Sequence, residues 1–175
     1  MLLIKKGCLW HETPSPKKPM RAATPLMHYV GEQTQHGNLK HGYGTLYVNH
    51  VKIYEGMWHM GCFHGFGKLY DNESGDLIYK GQWSSGCETG YGVLYNGDYV
   101  LYIGEWSERQ PNGFGTKYYA TDDYCVMYQG ELKAGMKDGF GDLYDIFGNL
   151  VYSGEWVQDL QCGKGATYKL NFTQK

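Results

Sequence analysis

The chain has 175 residues, 42% hydrophobic and 16% aromatic, with 26 glycines and 17 tyrosines against 5 prolines; this is enough apolar material for one folded domain and excludes disordered and collagen-like chains. The net charge of −2 divides into +4 over residues 1–27, where Lys5, Lys6, Lys17, Lys18 and Arg21 stand against Glu12, and −6 over 28–175, with 11 basic and 17 acidic residues. An acidic body repels nucleic acid and anionic lipid at long range, which excludes nucleic-acid binding and leaves membrane contact weak.

Residues 1–27 read as a basic, extended arm, because Pro14, Pro16, Pro19 and Pro25 prevent a continuous helix or central strand. The arm is either a disordered tail or a docking arm for a larger assembly. Its apolar start, Met1 to Ile4, is followed by lysines, the reverse of a secretory signal, although an organellar presequence stays open. No stretch reaches the ~18–20 apolar residues of a membrane span, so a soluble, cytoplasmic protein is expected. Five cysteines, Cys8, Cys62, Cys87, Cys125 and Cys162, form no Cys-x-x-Cys pair and read as reduced thiols.

From Tyr29 onward the chain repeats itself. A tyrosine is followed two residues later by glycine, and further on by a Gly-x-Gly, in six copies that begin at Tyr29, Tyr54, Tyr79, Tyr102, Tyr128 and Tyr152. A period of 23–26 residues marks one small unit stacked on itself, more often a surface for partners than a pocket for chemistry. In the second copy Tyr54, Gly56 and Trp58 alternate along one strand face, and Gly65, Gly67 and Leu69 alternate along another, with Phe66, Lys68 and Tyr70 opposite. His59 to His64, around Gly61, is the expected connection of an antiparallel hairpin. Equivalent triplets are Tyr79, Gly81, Trp83; Tyr102, Gly104, Trp106; and Tyr152, Gly154, Trp156. Turn sequences at Gly75, Gly97 and Gly148 join the copies, giving an all-β, single-layer, elongated array of about twelve short strands over 28–170, with a tail at 171–175. Rings are expected to lie over the bare glycine backbone, so that each hairpin is completed by its neighbour.

The copies vary at the ends. Gln33 takes the tryptophan place in copy one, Leu132 in copy five, and Lys164 replaces the ring between the glycines of copy six. Arg109 and Asp159 replace the loop glycine, so those two loops are expected to differ in shape.

Tyr54-Glu-Gly56-Met-Trp58, Gly61 and His64-Gly65-Phe66-Gly67-Lys-Leu69-Tyr70 resemble the MORN (membrane occupation and recognition nexus) repeat, over residues 29 to about 168. The resemblance implies an elongated hairpin array of the kind found in junctional membrane proteins, lipid kinases, ciliary radial spokes and cytoskeletal scaffolds. In such proteins any catalysis lies in a separate domain.

The candidate partner site is the ring between the paired glycines: Tyr43, Phe66, Tyr91, Phe114 and Phe140. Alternation lines these up on one face, where they either form a buried stripe or hold a protein helix or peptide. Self-association is a further expected partner mode. Glu55, Glu105, Glu131 and Glu155 read as a solvated or structural row, and no Gly-x-Ser-x-Gly elbow or phosphate loop occurs, so no enzyme and no cofactor is expected. His36, His41, His59 and His64 with Cys62 fit a closed zinc site poorly, so no metal is expected either. The expected function is a non-catalytic scaffold or adaptor in a ciliary or cytoskeletal assembly, with anionic-lipid recognition as the alternative.

Overall fold

The computed structural model describes residues 24–36 and 38–168, and these contain twelve strands and no helix. The strands are β1 (Met27–Gln33), β2 (Lys40–Val48), β3 (Val51–His59), β4 (Cys62–Tyr70), β5 (Leu77–Ser84), β6 (Cys87–Asn96), β7 (Tyr99–Ser107), β8 (Gln110–Tyr118), β9 (Val126–Lys133), β10 (Met136–Tyr144), β11 (Leu150–Val157) and β12 (Leu160–Thr167). Each pairs antiparallel with its neighbours in chain order, making one open sheet. The expected hairpin array is therefore the fold. Most of the basic arm and the tail lie outside the described residues; Leu26 already joins the sheet, its N–H donating to Asn49 Oδ1 at 2.9 Å.

The turn inside each hairpin is tighter than the sequence suggested. His59 faces Cys62 across the ladder, which leaves Met60 and Gly61 alone as the turn, with φ of 48° and 86°. Two left-handed residues in succession match the twist of the flanking strands, whereas a six-residue loop would not fix their register. Cys62, Phe63 and His64 thus belong to β4. Glu108-Arg109 (50°, 68°) and Gln158-Asp159 (49°, 68°) adopt the same conformation, correcting the expectation that copies four and six differ. The reason is main-chain bonding: the second turn residue donates its N–H to the preceding copy, Gly61 to the Lys40 carbonyl, Arg109 to Glu88 and Asp159 to Lys137. Such a bond is independent of the side chain, and helps hold a left-handed residue against a steric cost of about 1–2 kcal/mol.

The two glycines of each copy fall into a single line across the sheet. Gly31, Gly44, Gly56, Gly67, Gly81, Gly92, Gly104, Gly115, Gly130, Gly141, Gly154 and Gly165 face one another through every successive strand pairing. A Cβ on Gly56 would stand 2.6 Å from the Phe66 carbonyl and 2.8 Å from Tyr54 Oη. The furrow is filled by the repeat tyrosines, with Tyr54, Tyr79, Tyr102 and Tyr128 fully buried. All six hydroxyls donate to the carbonyl three residues on, Tyr54 to Met57 at 2.9 Å and Tyr128 to Glu131 at 2.8 Å. Rings over glycines, expected from spacing, are what the backbone shows.

Tryptophans tie one copy to the next. Trp58 Nε1–H donates to the Gly44 carbonyl at 3.1 Å, Trp83 to Gly67 at 3.3 Å, Trp106 to Gly92 at 3.2 Å and Trp156 to Gly141 at 2.9 Å. Trp83 also packs edge-on against Tyr79 of its own copy, at 5.1 Å between centroids, and Tyr54 of the preceding one, at 5.6 Å. Burying these rings removes apolar area from water only when two copies are present, so the core is distributed along the array.

Candidate functional site

The face opposite the tyrosine-filled furrow carries the five candidate rings. Tyr43, Phe66, Tyr91, Phe114 and Phe140 are between 51% and 67% exposed. Of the two readings open for them, burial within the chain's own core is the one that does not hold among the described residues. The cause is a bulge: between the pairs Gly56 with Gly67 and Trp58 with Phe63, β3 supplies only Met57 while β4 supplies His64, Gly65 and Phe66. Gly65 takes a left-handed φ of 59° at this point, and the following ring is lifted away from its own hairpin.

A bulge leaves a backbone N–H without its ladder partner, and a side chain replaces it. Glu32 Oε1 accepts from Tyr43 N–H at 3.2 Å, Gln82 from Tyr91 at 2.7 Å, Glu105 from Phe114 at 3.3 Å and Glu131 from Phe140 at 3.1 Å. These acceptors occupy the third position after the repeat tyrosine. Glu55 follows its tyrosine directly, so it does not belong to the row of Glu105, Glu131 and Glu155, and Met57 stands at the capping place in copy two. The carboxylate row is structural: it props the exposed rings.

Glu55 has a separate task on the same face. Its carboxylate accepts from Lys52 Nζ at 3.0 Å, from Tyr43 Oη at 2.9 Å and from Tyr70 Oη at 3.1 Å. Those donors, Lys52 first, push its carboxyl down to about 2. The Lys52 ammonium also lies 4.5 Å from the Tyr70 ring centroid. This cluster ties β2, β3 and β4 together on that face.

Four residues after each exposed ring stands another tyrosine: Tyr47, Tyr70, Tyr95, Tyr118 and Tyr144, all half-buried on the same face. Alternation in the second copy already places Tyr70 opposite the glycines, and its four counterparts recur with the same period. Two aromatic rows separated by four residues of strand lie about 13 Å apart. Between them runs an unbroken line of paired residues, Glu55 with Lys68, Lys68 with Lys80, Lys80 with Val93, Val93 with Ile103, and onward through Thr116 and Gln129 to Asp142 and Ser153. At the C-terminal end a groove of about 500 Å³ opens beside Phe114, Phe140, Asp142 and Lys164.

The histidines lie side by side, His59 at 5.1 Å from His41 and 5.4 Å from His64 between centroids, and among the described residues no group of three or more His, Cys, Asp or Glu could hold a metal ion. Cys62, Cys87, Cys125 and Cys162 are free thiols. No helix among the described residues is long and apolar enough to cross a membrane.

Residues 36–50, 54–74, 79–99, 102–124, 128–145 and 152–167 match the MORN repeat family. The chain belongs to the MORN-repeat family. The first matched stretch begins past Tyr29 and Gln33, the copy in which tryptophan is missing. MORN repeat-containing protein 3 of Xenopus laevis is 31% identical over 98 residues, covering 55% of this chain and 32% of that protein. The match thus spans about a third of the relative's length. MORN repeats are generally non-catalytic units suited to interaction or adaptor roles, and the five rings of this MORN array are exposed on one face.

Proposed function

We propose that this MORN array is a non-catalytic adaptor that holds a helical segment of a partner protein along its open face, within a cytoplasmic assembly of ciliary or cytoskeletal type. The observation that carries this reading is the pair of aromatic rows. A helix with its side chains is about 10–12 Å across, and rows about 13 Å apart can grip both of its flanks. Exposed aromatic side chains lose little entropy on contact and bury large apolar areas, which suits them to anchor a partner. Cross-linking with mass spectrometry in the native source tests the reading. The wild-type chain should yield contacts from Phe66, Tyr91 and Phe114 to one amphipathic helix of one partner. Phe66→Ser with Tyr91→Ser should lose that contact and keep the far-UV spectrum. Contacts spread over the furrow side, or a double variant that still holds the helix, contradict the proposal.

A second reading is recognition of anionic lipid, favoured by the direct pairing of Lys68 with Lys80 on this face. The acidic body works against it, since each nearby carboxylate repels the headgroups. Sedimentation with phosphatidylserine vesicles at physiological salt separates the two: strong sedimentation of the chain favours lipid.

A further inference from the structure

We infer that the trough is charge-polarised, and that its occupant is a helix with an acidic turn at one end, an apolar middle and a basic turn at the other. This rests on the open face being the docking surface. Lys68 and Lys80 face each other across β4 and β5, where like charges directly opposite destabilise a sheet by themselves. Glu55, beside Lys68, is already saturated by Lys52, Tyr43 and Tyr70, so it does not neutralise them. Two cationic groups are therefore left for an incoming anion.

The next strands change character. Val93 pairs with Ile103, and Ile103 with Thr116, giving the floor an uncharged stretch flanked by Tyr91 and Phe114. Beyond it the sign reverses: Glu131 accepts from the Phe140 N–H, Glu155 pairs with Phe140 across the ladder, and Asp142 lies on the floor between Gln129 and Ser153. Two cations oppose those three carboxylates: Lys133, two residues after Glu131 on the same side of β9, and Lys164, which lines the groove that holds Asp142.

Lys80 in β5 and Asp142 in β10 are five strand spacings apart, about 24 Å. At 1.5 Å per residue that is about 16 helical residues, a common helix length. Acidic residues over Lys68 and Lys80, with basic residues over Asp142 and Glu155, would fix both the position and the direction of the helix. Complementary charge of this kind sets register and rejects wrong partners more than it adds affinity.

The test uses the full chain and three synthetic helical peptides of about 18 residues, sharing one apolar face and differing only in charge: acidic at one end and basic at the other, acidic throughout, or basic throughout. Fluorescence anisotropy at low salt should show the bipolar peptide binding about fivefold tighter than either of the others, with the difference vanishing near 1 M salt. Lys68→Glu with Lys80→Glu makes the trough acidic throughout, and should transfer the preference to the uniformly basic peptide. An unchanged melting temperature shows that the variant folds. Asp142→Lys should weaken the bipolar and basic peptides in wild-type background. Equal binding of all three peptides, lost in the Phe66→Ser, Tyr91→Ser variant, overturns the polarity and leaves the docking reading in place. No binding of any peptide overturns both. Vesicle binding that Lys68→Glu, Lys80→Glu abolishes, without a peptide preference, overturns the polarity in favour of lipid.

Discussion

At the scale of single residues, the glycine line is the most constrained feature. A methyl at Gly67 would collide with Oη and Cζ of Tyr54, a fully buried ring whose hydroxyl is tied to the Met57 carbonyl. The ring has no vacant volume to enter, because Phe63 stacks on it at 3.7 Å and Trp83 meets its edge. Gly67→Ala should therefore cost at least the usual overpacking penalty of about 1–3 kcal/mol. Gly75→Ala, where no atom lies within 4 Å of the added methyl, should cost only the strain of a φ of 78°. Chemical denaturation of the two variants checks this, and an equal loss in both would mean that the rings do not press on the furrow. The exposed rings obey a different rule. Glu32, Gln82, Glu105 and Glu131 perform one task with two chemistries, so the cap is an acceptor oxygen rather than a charge, and Met57 in copy two shows that the bulge forms without one.

At the scale of the hairpin, each copy contributes a tyrosine and a glycine pair, and borrows its lid. Trp83 supplies an indole N–H to the Gly67 carbonyl and an edge to Tyr54, both in the preceding copy. Trp83→Phe keeps most of the apolar area and removes the donor, leaving a buried carbonyl short of its partner. The expected loss is about 1–3 kcal/mol, with amide exchange accelerating in β3 and β4 as well as β5. Acceleration confined to β5 would show that the indole does not couple the copies. The hairpin was largely legible from the chain itself, because Tyr54, Gly56 and Trp58 alternate visibly and Gly67 and Leu69 match them on the partner strand. The turn was not: Met60 in a left-handed conformation carries no local signal, and its register is fixed by Gly61 bonding to Lys40 in another copy. The bulge hid the site in the same way. It places three residues of β4 against one of β3, so alternation within one strand cannot tell whether Phe66 faces a neighbour or solvent. Without that register Glu55 reads as a member of the Glu105 row, and the stronger glycine pattern masks the row from Tyr47 to Tyr144.

For the whole molecule, the rings form a chain whose continuity governs cooperativity. Tyr29, Trp58, Tyr54, Trp83, Tyr79, Trp106 and Tyr102 follow one another at centroid distances of 4.9–5.6 Å. Leu132 then stands in the tryptophan place, and the contacts resume from Tyr128 through Trp156 to Tyr152. Nearest-neighbour coupling of this kind makes an array unfold as linked units rather than as independent hairpins. Its tyrosines provide the readout. Burial raises the phenol of Tyr54, Tyr79, Tyr102 and Tyr128 above the ordinary value, with Glu88, Glu105 and Glu131 adding to the effect at the last three in turn. The sign follows from linkage: a group whose folded value is raised contributes its full stability below the unfolded value of about 10, and loses it as pH climbs toward the folded one. On the alkaline side these phenols should thus leave stability unchanged up to about pH 9 and make it fall steeply above pH 10, because the unfolded chain releases protons that the folded chain retains. Tyrosinate absorbance should rise in two steps. Surface phenols titrate first, and the buried set appears together with the loss of near-UV circular dichroism as the array opens. If all 17 tyrosines ionised in one smooth step with the dichroism intact, water would have reached the furrow in the folded chain, and the rings would not be sealed by the copy that follows them.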